Sequence, residues 1–287
     1  MDTPLLRAPS ARIIPGLVTL MLCSMGVFAP SAVAADPGPD LLGIDMAKWM
    51  NDDLNRSLSP VEQLKAKWVR CGIAWKQIEP SPGKYDWEHL DRVVNQTKQH
   101  NLHLLVTLRA FNPWAGIRIP EKQNQAQAQR AATPPKDMAQ FARFVKAVAA
   151  RYKGRGVCWQ IENEPNLDVH WPGSGLIRFS NPGRLMPSTC TTISSPKKGI
   201  PAPLWITEFD FPSGPLTVRQ KTVSFAPDQQ ARFLEQAVSR AKAEGVQHLF
   251  WMFMRDTERG QGNHLGLAAM DGRRKKAWNE FVHVASD

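Results

Sequence analysis

The chain has 287 residues, of which 43% are hydrophobic and 22% charged, with a formal net charge of +10. This is enough apolar material for one large core or two small ones, and it excludes a disordered chain. Four cysteines without a C-x-x-C pair exclude a zinc ribbon or a thioredoxin-type site. The absence of G-x-x-x-x-G-K, G-x-G-x-x-G, H-E-x-x-H and G-x-S-x-G weakens the phosphate-loop, dinucleotide, zinc-protease and serine-hydrolase readings.

At the start, Arg7 and Arg12 precede an apolar run from Ile13 to Phe28, and Ala32-Val33-Ala34 follows. A basic head, an apolar centre and a small-x-small site make a secretory signal peptide. Residues 1–34 are read as that leader and residues 35–287 as one mature domain, secreted or periplasmic, without stable membrane insertion. A retained anchor is the competing reading, and Pro15 and Gly16 shorten its apolar length. The mature chain would carry a net charge of +9. That charge fits an acidic polymer partner or simply a self-repelling, soluble surface. The basic residues are spread out, Arg273 to Lys276 being the one dense cluster, so no nucleic-acid module is indicated.

Along the mature chain, short β-like runs alternate with helix-like segments. Leu41–Asp45 is the first strand and Trp68–Trp75 the second. After the turn at Ser81-Pro82-Gly83, Asp86 can cap a helix with Leu90, Val93, Val94 and Thr97 on one face. Leu102–Leu108 is the third strand. Pro134-Pro135 marks a helix start, and Met138, Phe141, Val145, Val148 and Tyr152 form its stripe. Val157–Ile161 and Leu204–Thr207 are the next strands. Asp228 opens a helix with Phe233, Leu234, Ala237 and Ala241, Val246–Met254 is a strand, and Ala277 to Val282 lie on the last helix. Continuous apolar strands separated by amphipathic helices predict a parallel sheet covered by helices. Cys71 and Cys158 fall on strands two apart, roughly 9.6 Å, which is beyond disulfide reach.

Two carboxylates stand directly after strands, Glu164 after Ile161 and Glu208 after Thr207. In a parallel β/α architecture the C-terminal strand ends open on one face, where active sites form. Two glutamates there can work across a glycosidic bond, one protonating the leaving oxygen while the other attacks the anomeric carbon or activates water. No cofactor motif and no metal-ligand spacing accompanies them.

Trp159 to Asn166, containing Glu162-Asn163-Glu164-Pro165, resembles the fourth-strand motif of retaining glycoside hydrolases with (β/α)8 TIM barrels, and Leu204 to Glu208 resembles their seventh. Arg70 to Trp75 with Ile78 to Trp87 is similar to their second strand and its loop. Phe250 to Phe253 and His264 to Leu267 are similar to their eighth strand and its loop. The nearest group is the β-xylosidase-like and biofilm-exopolysaccharide hydrolases. The resemblance implies a carbohydrate substrate, Glu164 as acid/base, Glu208 as nucleophile, and Asn163 as a hydrogen-bond partner of the sugar 2-hydroxyl. Arg70 would hold Glu208 ionised, and that charge would keep Glu164 a proton donor; a buried structural ion pair is the other reading of Arg70. Trp75, Trp251, Trp114 and Trp171 become candidate walls of sugar subsites, with hydrophobic core as the alternative. Trp68, Trp159 and Trp205 read as core.

One interval departs from that family. Only 44 positions separate Glu164 from Glu208, whereas three β/α units of a full barrel span roughly 93. Residues 172–201 are punctuated by prolines and carry no helical stripe. Strands five and six, with the His/Tyr pair such families place on strand six, are therefore expected to be missing, leaving about six units. A deletion, a frame disturbance and a natural short connection all fit. Two functions follow: a secreted retaining glycosidase, or an impaired barrel relative that binds carbohydrate or has no activity. An incomplete barrel would also expose strand edges open to self-association.

Overall fold

The computed structural model describes residues 40–46, 54–116, 135–163, 203–218, 221–258 and 264–287. The leader read at residues 1–34, Trp171 and the stretch at 172–201 lie outside these. Six parallel strands form one sheet: β1 (Leu42–Asp45), β2 (Trp68–Ala74), β3 (His103–Arg109), β4 (Val157–Ile161), β5 (Leu204–Phe209) and β8 (Val246–Trp251). Their order is β4-β3-β2-β1-β8-β5. First and last strands are neighbours, as in a TIM barrel, and among the described residues no strand links β4 to β5. The fold is thus a parallel half-barrel in which no described strand pairs with the outer edge of β4 or β5. A hairpin of β6 (Pro215–Val218) and β7 (Lys221–Ser224) follows β5.

The helices are α1 (Leu54–Gln63), α2 (Trp75–Ile78), α3 (Glu88–Gln99), α4 (Met138–Arg151), α5 (Pro227–Ala243) and α6 (Lys276–Val284). Among the described residues no helix is long and apolar enough to cross a membrane. Several local expectations are corrected. Helix α4 starts at Met138 rather than at the prolines, because Asp137 accepts a hydrogen bond from the Ala139 N–H at 2.8 Å and acts as its cap. Its buried face carries Phe141, Phe144 and Val148, while Met138 is exposed. Asp86 sits one residue outside the cap of α3 but still accepts from the Glu88 N–H. Strand β8 stops at Trp251, short of Met254. Helix α1 and the hairpin had no counterpart in the sequence reading.

Side-chain alternation divides the sheet into two faces. Ile44, Val69, Cys71, Ile73, Leu104, Val106, Leu108, Ile206, Leu249 and Trp251 belong to a large core shared with the helices. On the inner face Trp68, Leu105, Trp205 and Phe250 form a second, smaller cluster, with Cys158 against it. Trp68 and Trp205 meet edge to face at 5.0 Å, and both contact the His248 ring. The core reading of these two tryptophans is thus met. Cys71 and Cys158 are free and lie on opposite faces, so alternation as well as spacing keeps them apart.

Gly43 on β1 makes room for this inner cluster. A Cβ there would lie 2.5 Å from Phe250 Cδ1 and 2.8 Å from Trp68 Cβ, whereas a Cβ at Gly72 meets nothing closer than 4.0 Å. Gly43→Ala should therefore lower stability by about 1–3 kcal/mol through overpacking, and Gly72→Ala should stay within about 0.5 kcal/mol. Urea denaturation of both variants checks this; equal midpoints would show that the inner cluster is not packed as described.

Candidate active site

At the C-terminal strand ends the inner face turns from apolar to charged. Arg70 on β2 is its centre, 3% exposed. Its Nη1 donates to Glu208 Oε1 at 2.6 Å and also to Asp45 Oδ2; its Nη2 donates to Asn163 Oδ1 at 2.6 Å; its Nε donates to Gln160 Oε1 at 3.1 Å. Burial pulls the guanidinium pKa down, but the charges of Asp45 and then Glu208 outweigh it, and the net direction is upward. Arg70 is thus a buried ion pair that also grips the Glu208 carboxylate near the end of β5.

Glu208 reaches this position through a fault in its strand. Leu204 and Ile206 pack on the helix side, so strict alternation would send Glu208 there too. The register slips between Ile206 and Phe209: these two pair with Leu249 and Trp251, leaving two residues of β5 opposite one of β8. This bulge turns Glu208 to the inner face and returns Phe209 to the helix side, edge on to Trp251 at 5.0 Å. The Glu208 side chain remains 14% exposed.

The end of β4 is built differently. Gln160 is buried; its Oε1 accepts from Arg70 and from Thr107 Oγ1, and its Nε2 donates to the Glu162 carbonyl at 2.9 Å. Glu162 takes a left-handed backbone, φ 61°, and its buried carboxylate accepts from the Ala110 N–H. Asn163 follows, its Oδ1 held by Arg70; its Nδ2 can only donate. Glu164 is the next residue and lies outside the described residues.

The structure thus brings Arg70, Asn163 and Glu208 together and keeps Trp75 and Trp251 away. Both tryptophans are 0% exposed. Trp75 shares the parity of Cys71 and Ile73, so it faces the helices; its Nε1 donates to Glu79 Oε2 at 2.6 Å, and its ring stacks on Phe144. Trp251 shares the parity of Leu249 and donates to the Leu265 carbonyl. Buried rings with bonded N–H groups offer no face to a sugar, which corrects the subsite expectation for this pair. Trp114 is half-buried, its Nε1 on the Glu79 carbonyl and its ring edge on to Trp75.

The sequence reading passed over Asp45, Thr107, Gln160 and Glu162. Asp45 closes β1, and Glu208 lies one residue before the end of β5, so the same strand-end rule would have found it. Among the described residues no cluster of His, Cys, Asp or Glu could hold a metal ion.

Residues 45–174, which carry every member of this site except Glu208, match the glycoside-hydrolase family model described as beta-galactosidase. The likeness is to glycoside hydrolases. A phospho-cellobiase of Klebsiella oxytoca is 27% identical over 169 residues, covering 56% of this chain and 34% of that protein. A 6-phospho-beta-glucosidase of Clostridium longisporum is 26% identical over 164 residues, 55% of this chain and 32% of that protein. The chain therefore spans about a third of the length of the curated relatives it matches. Among solved structures, a family 39 glycoside hydrolase from Bacteroides cellulosilyticus superposes with a TM-score of 0.60 at 14% identity, over 90% of this chain and 65% of the other. At that identity the superposition shows the fold, a TIM-barrel type.

Two residues beyond Glu208, Asp210 has a pKa pushed up to about 7, first by burial and second by the Glu208 charge. An unfolded Asp ionises near 3.8. Between these values the fold binds a proton that the unfolded chain has lost. Asp210 therefore favours folding less and less as pH rises from about 4 to about 7, and the loss persists above that. Asp210→Asn should melt higher than the wild type at pH 8 and no higher at pH 4. Melting temperatures across pH 4–8 check this; parallel profiles would contradict the assignment.

Proposed function

We propose that this chain is a retaining glycoside hydrolase that acts, after export and removal of residues 1–34, on a polysaccharide or oligosaccharide. The observation that carries the reading is the meeting of Glu208 and Asn163 on one guanidinium at the C-terminal strand ends. In the first step Glu164 donates its proton to the glycosidic oxygen as the Glu208 carboxylate attacks the anomeric carbon and the leaving alcohol departs. In the second, Glu164 takes a proton from the water that displaces Glu208 from the glycosyl ester. Arg70 occupies Glu208 Oε1 and leaves Oε2 for the attack. Asn163 Nδ2 donates to the sugar 2-hydroxyl. The strand motifs resemble the β-xylosidase-like and exopolysaccharide-hydrolase group, which makes extracellular polysaccharides and aryl xylosides the first substrates to test.

One observation favours a second reading, carbohydrate binding without turnover. Asn163 follows β4 and Glu208 lies on β5, the two edges of the described sheet, and among the described residues no hydrogen-bonded ladder between these strands fixes their spacing. Edges that no described strand pairs favour self-association of residues 35–287, visible as concentration-dependent elution in size-exclusion chromatography. Glu208→Gln separates the two functions. Turnover should fall by about 10⁴-fold or more while sugar affinity changes little, because the nucleophile acts in the chemical step. Replacing Glu164 should slow glycosides with poor leaving groups most. Turnover in Glu208→Gln equal to wild type on every glycoside cleaved would remove Glu208 from the mechanism.

A further inference from the structure

Glu162 plays no part in the chemistry just described, yet two features set it apart. Its φ of 61° lies in the left-handed region, where a residue with a Cβ is strained by roughly 1–2 kcal/mol and glycine or asparagine is the usual occupant. Its side chain is also buried, the residue being 4% exposed, with a carboxylate where a neutral group would be the default. That carboxylate spans two strands: it accepts from the Ala110 N–H, just past the end of β3, and more loosely from the Asn163 N–H at 3.4 Å. The Glu162 carbonyl is fixed as well, by Gln160 Nε2, and Gln160 is itself bonded to Arg70. Burial raises the Glu162 pKa, while the Ala110 hydrogen bond, the Arg109 charge and the Asn163 N–H draw it back.

We propose that Glu162 is a positioning residue whose left-handed turn, bolted to Ala110 by its carboxylate, aims Asn163 at Arg70 and at the sugar. Strands β3 and β4 pair in register as far as Leu108 and Ile161. One residue later the chain of β4 must leave the sheet without carrying Asn163 away from the inner face. An extended residue 162 would continue the alternation and send Asn163 to the helix side, with Ile161 and Trp159. The left-handed turn breaks that alternation. A buried carboxylate on a backbone N–H holds the turn against its strain, because releasing it would leave both the Ala110 N–H and the carboxylate unsatisfied. Asn163 thereby reaches Arg70 with its amide orientation set. The inference rests on the glycosidase reading for what Asn163 then does, and on geometry alone for how Asn163 is placed.

The test uses residues 35–287 and two variants. Glu162→Gly removes the carboxylate but tolerates the turn; Glu162→Gln keeps an acceptor for the Ala110 N–H. The first readout needs no activity: ¹⁵N-resolved signals of the Asn163 side-chain amide and the Arg70 Nη groups. In Glu162→Gly the Asn163 amide and the Arg70 Nη2 signals should move and broaden while Nη1, on Asp45 and Glu208, stays; in Glu162→Gln the changes should be smaller. Unmoved Asn163 and Nη2 signals in Glu162→Gly, in a protein that still melts cooperatively, would overturn the proposal. The second readout is the preference for an aryl glycoside over its 2-deoxy counterpart. It should fall about tenfold in Glu162→Gly, through the glycoside rather than the 2-deoxy substrate, and an equal loss on both would count against positioning. A wild type that cleaves no glycoside would defeat the glycosidase reading and leave the decision on Glu162 to the first readout.

Discussion

Arg70 carries a positive charge to the inner face of a parallel sheet, away from water, where an isolated ion would cost several kcal/mol to hold. Every polar group of the site is arranged around that cost. Two carboxylates, Asp45 from β1 and Glu208 from β5, take one guanidinium nitrogen; Asn163 and Gln160 from the end of β4 take the other two. Removing any of them leaves part of a buried cation unsatisfied. Such pairs are weak contributors to net stability but strong constraints on geometry. The constraint here is that three strands must present their ends to the planar fork of donors that β2 carries.

That constraint also reports the shape of the sheet. Strands β4 and β5 are five spacings apart in the sheet order, about 24 Å if the sheet were flat. From β2 to β5 alone is three spacings, roughly 14 Å, more than an arginine and a glutamate can bridge. The 2.6 Å contact between Arg70 and Glu208 therefore requires a strongly curled sheet. The aromatic cluster beneath, Trp68 with Trp205 and Phe250, fills the trough that the curl creates. Charge above and indole below are two layers of one inner face, and the apolar layer supports the polar one.

Much of this was legible in the sequence, because the signals were periodic. The six strands and most of the helices follow from apolar runs and turns. Glu208 was found by its place after a strand, yet alternation alone would have aimed it at the helices; the bulge that corrects this is a register effect between β5 and β8, with no mark in either strand alone. Trp75 and Trp251 failed for the same kind of reason. Position at a strand end suggests access to the cleft, but parity assigns both to the helix side. Helix α1 was missed although Leu54, Leu58 and Val61 are spaced as a helical stripe and are buried; Pro60 within it obscured the pattern. Asp45 carries the same strand-end signal as Glu208, whereas Glu162 is hidden because a carboxylate that serves a backbone N–H looks, in sequence, like any surface acid.

In the proposed reaction Glu208, delivered by a bulge and held by Arg70, is the group that attacks the sugar. Incubating residues 35–287 with a panel of activated 2-deoxy-2-fluoro glycosides, followed by intact and peptide mass spectrometry, tests this directly, because slow deglycosylation traps the glycosyl ester. One added fluoroglycosyl group is expected, on the peptide containing Glu208, and none in Glu208→Gln. A stable adduct on another residue, or hydrolysis of the matching glycoside with inversion and without an adduct, would contradict it.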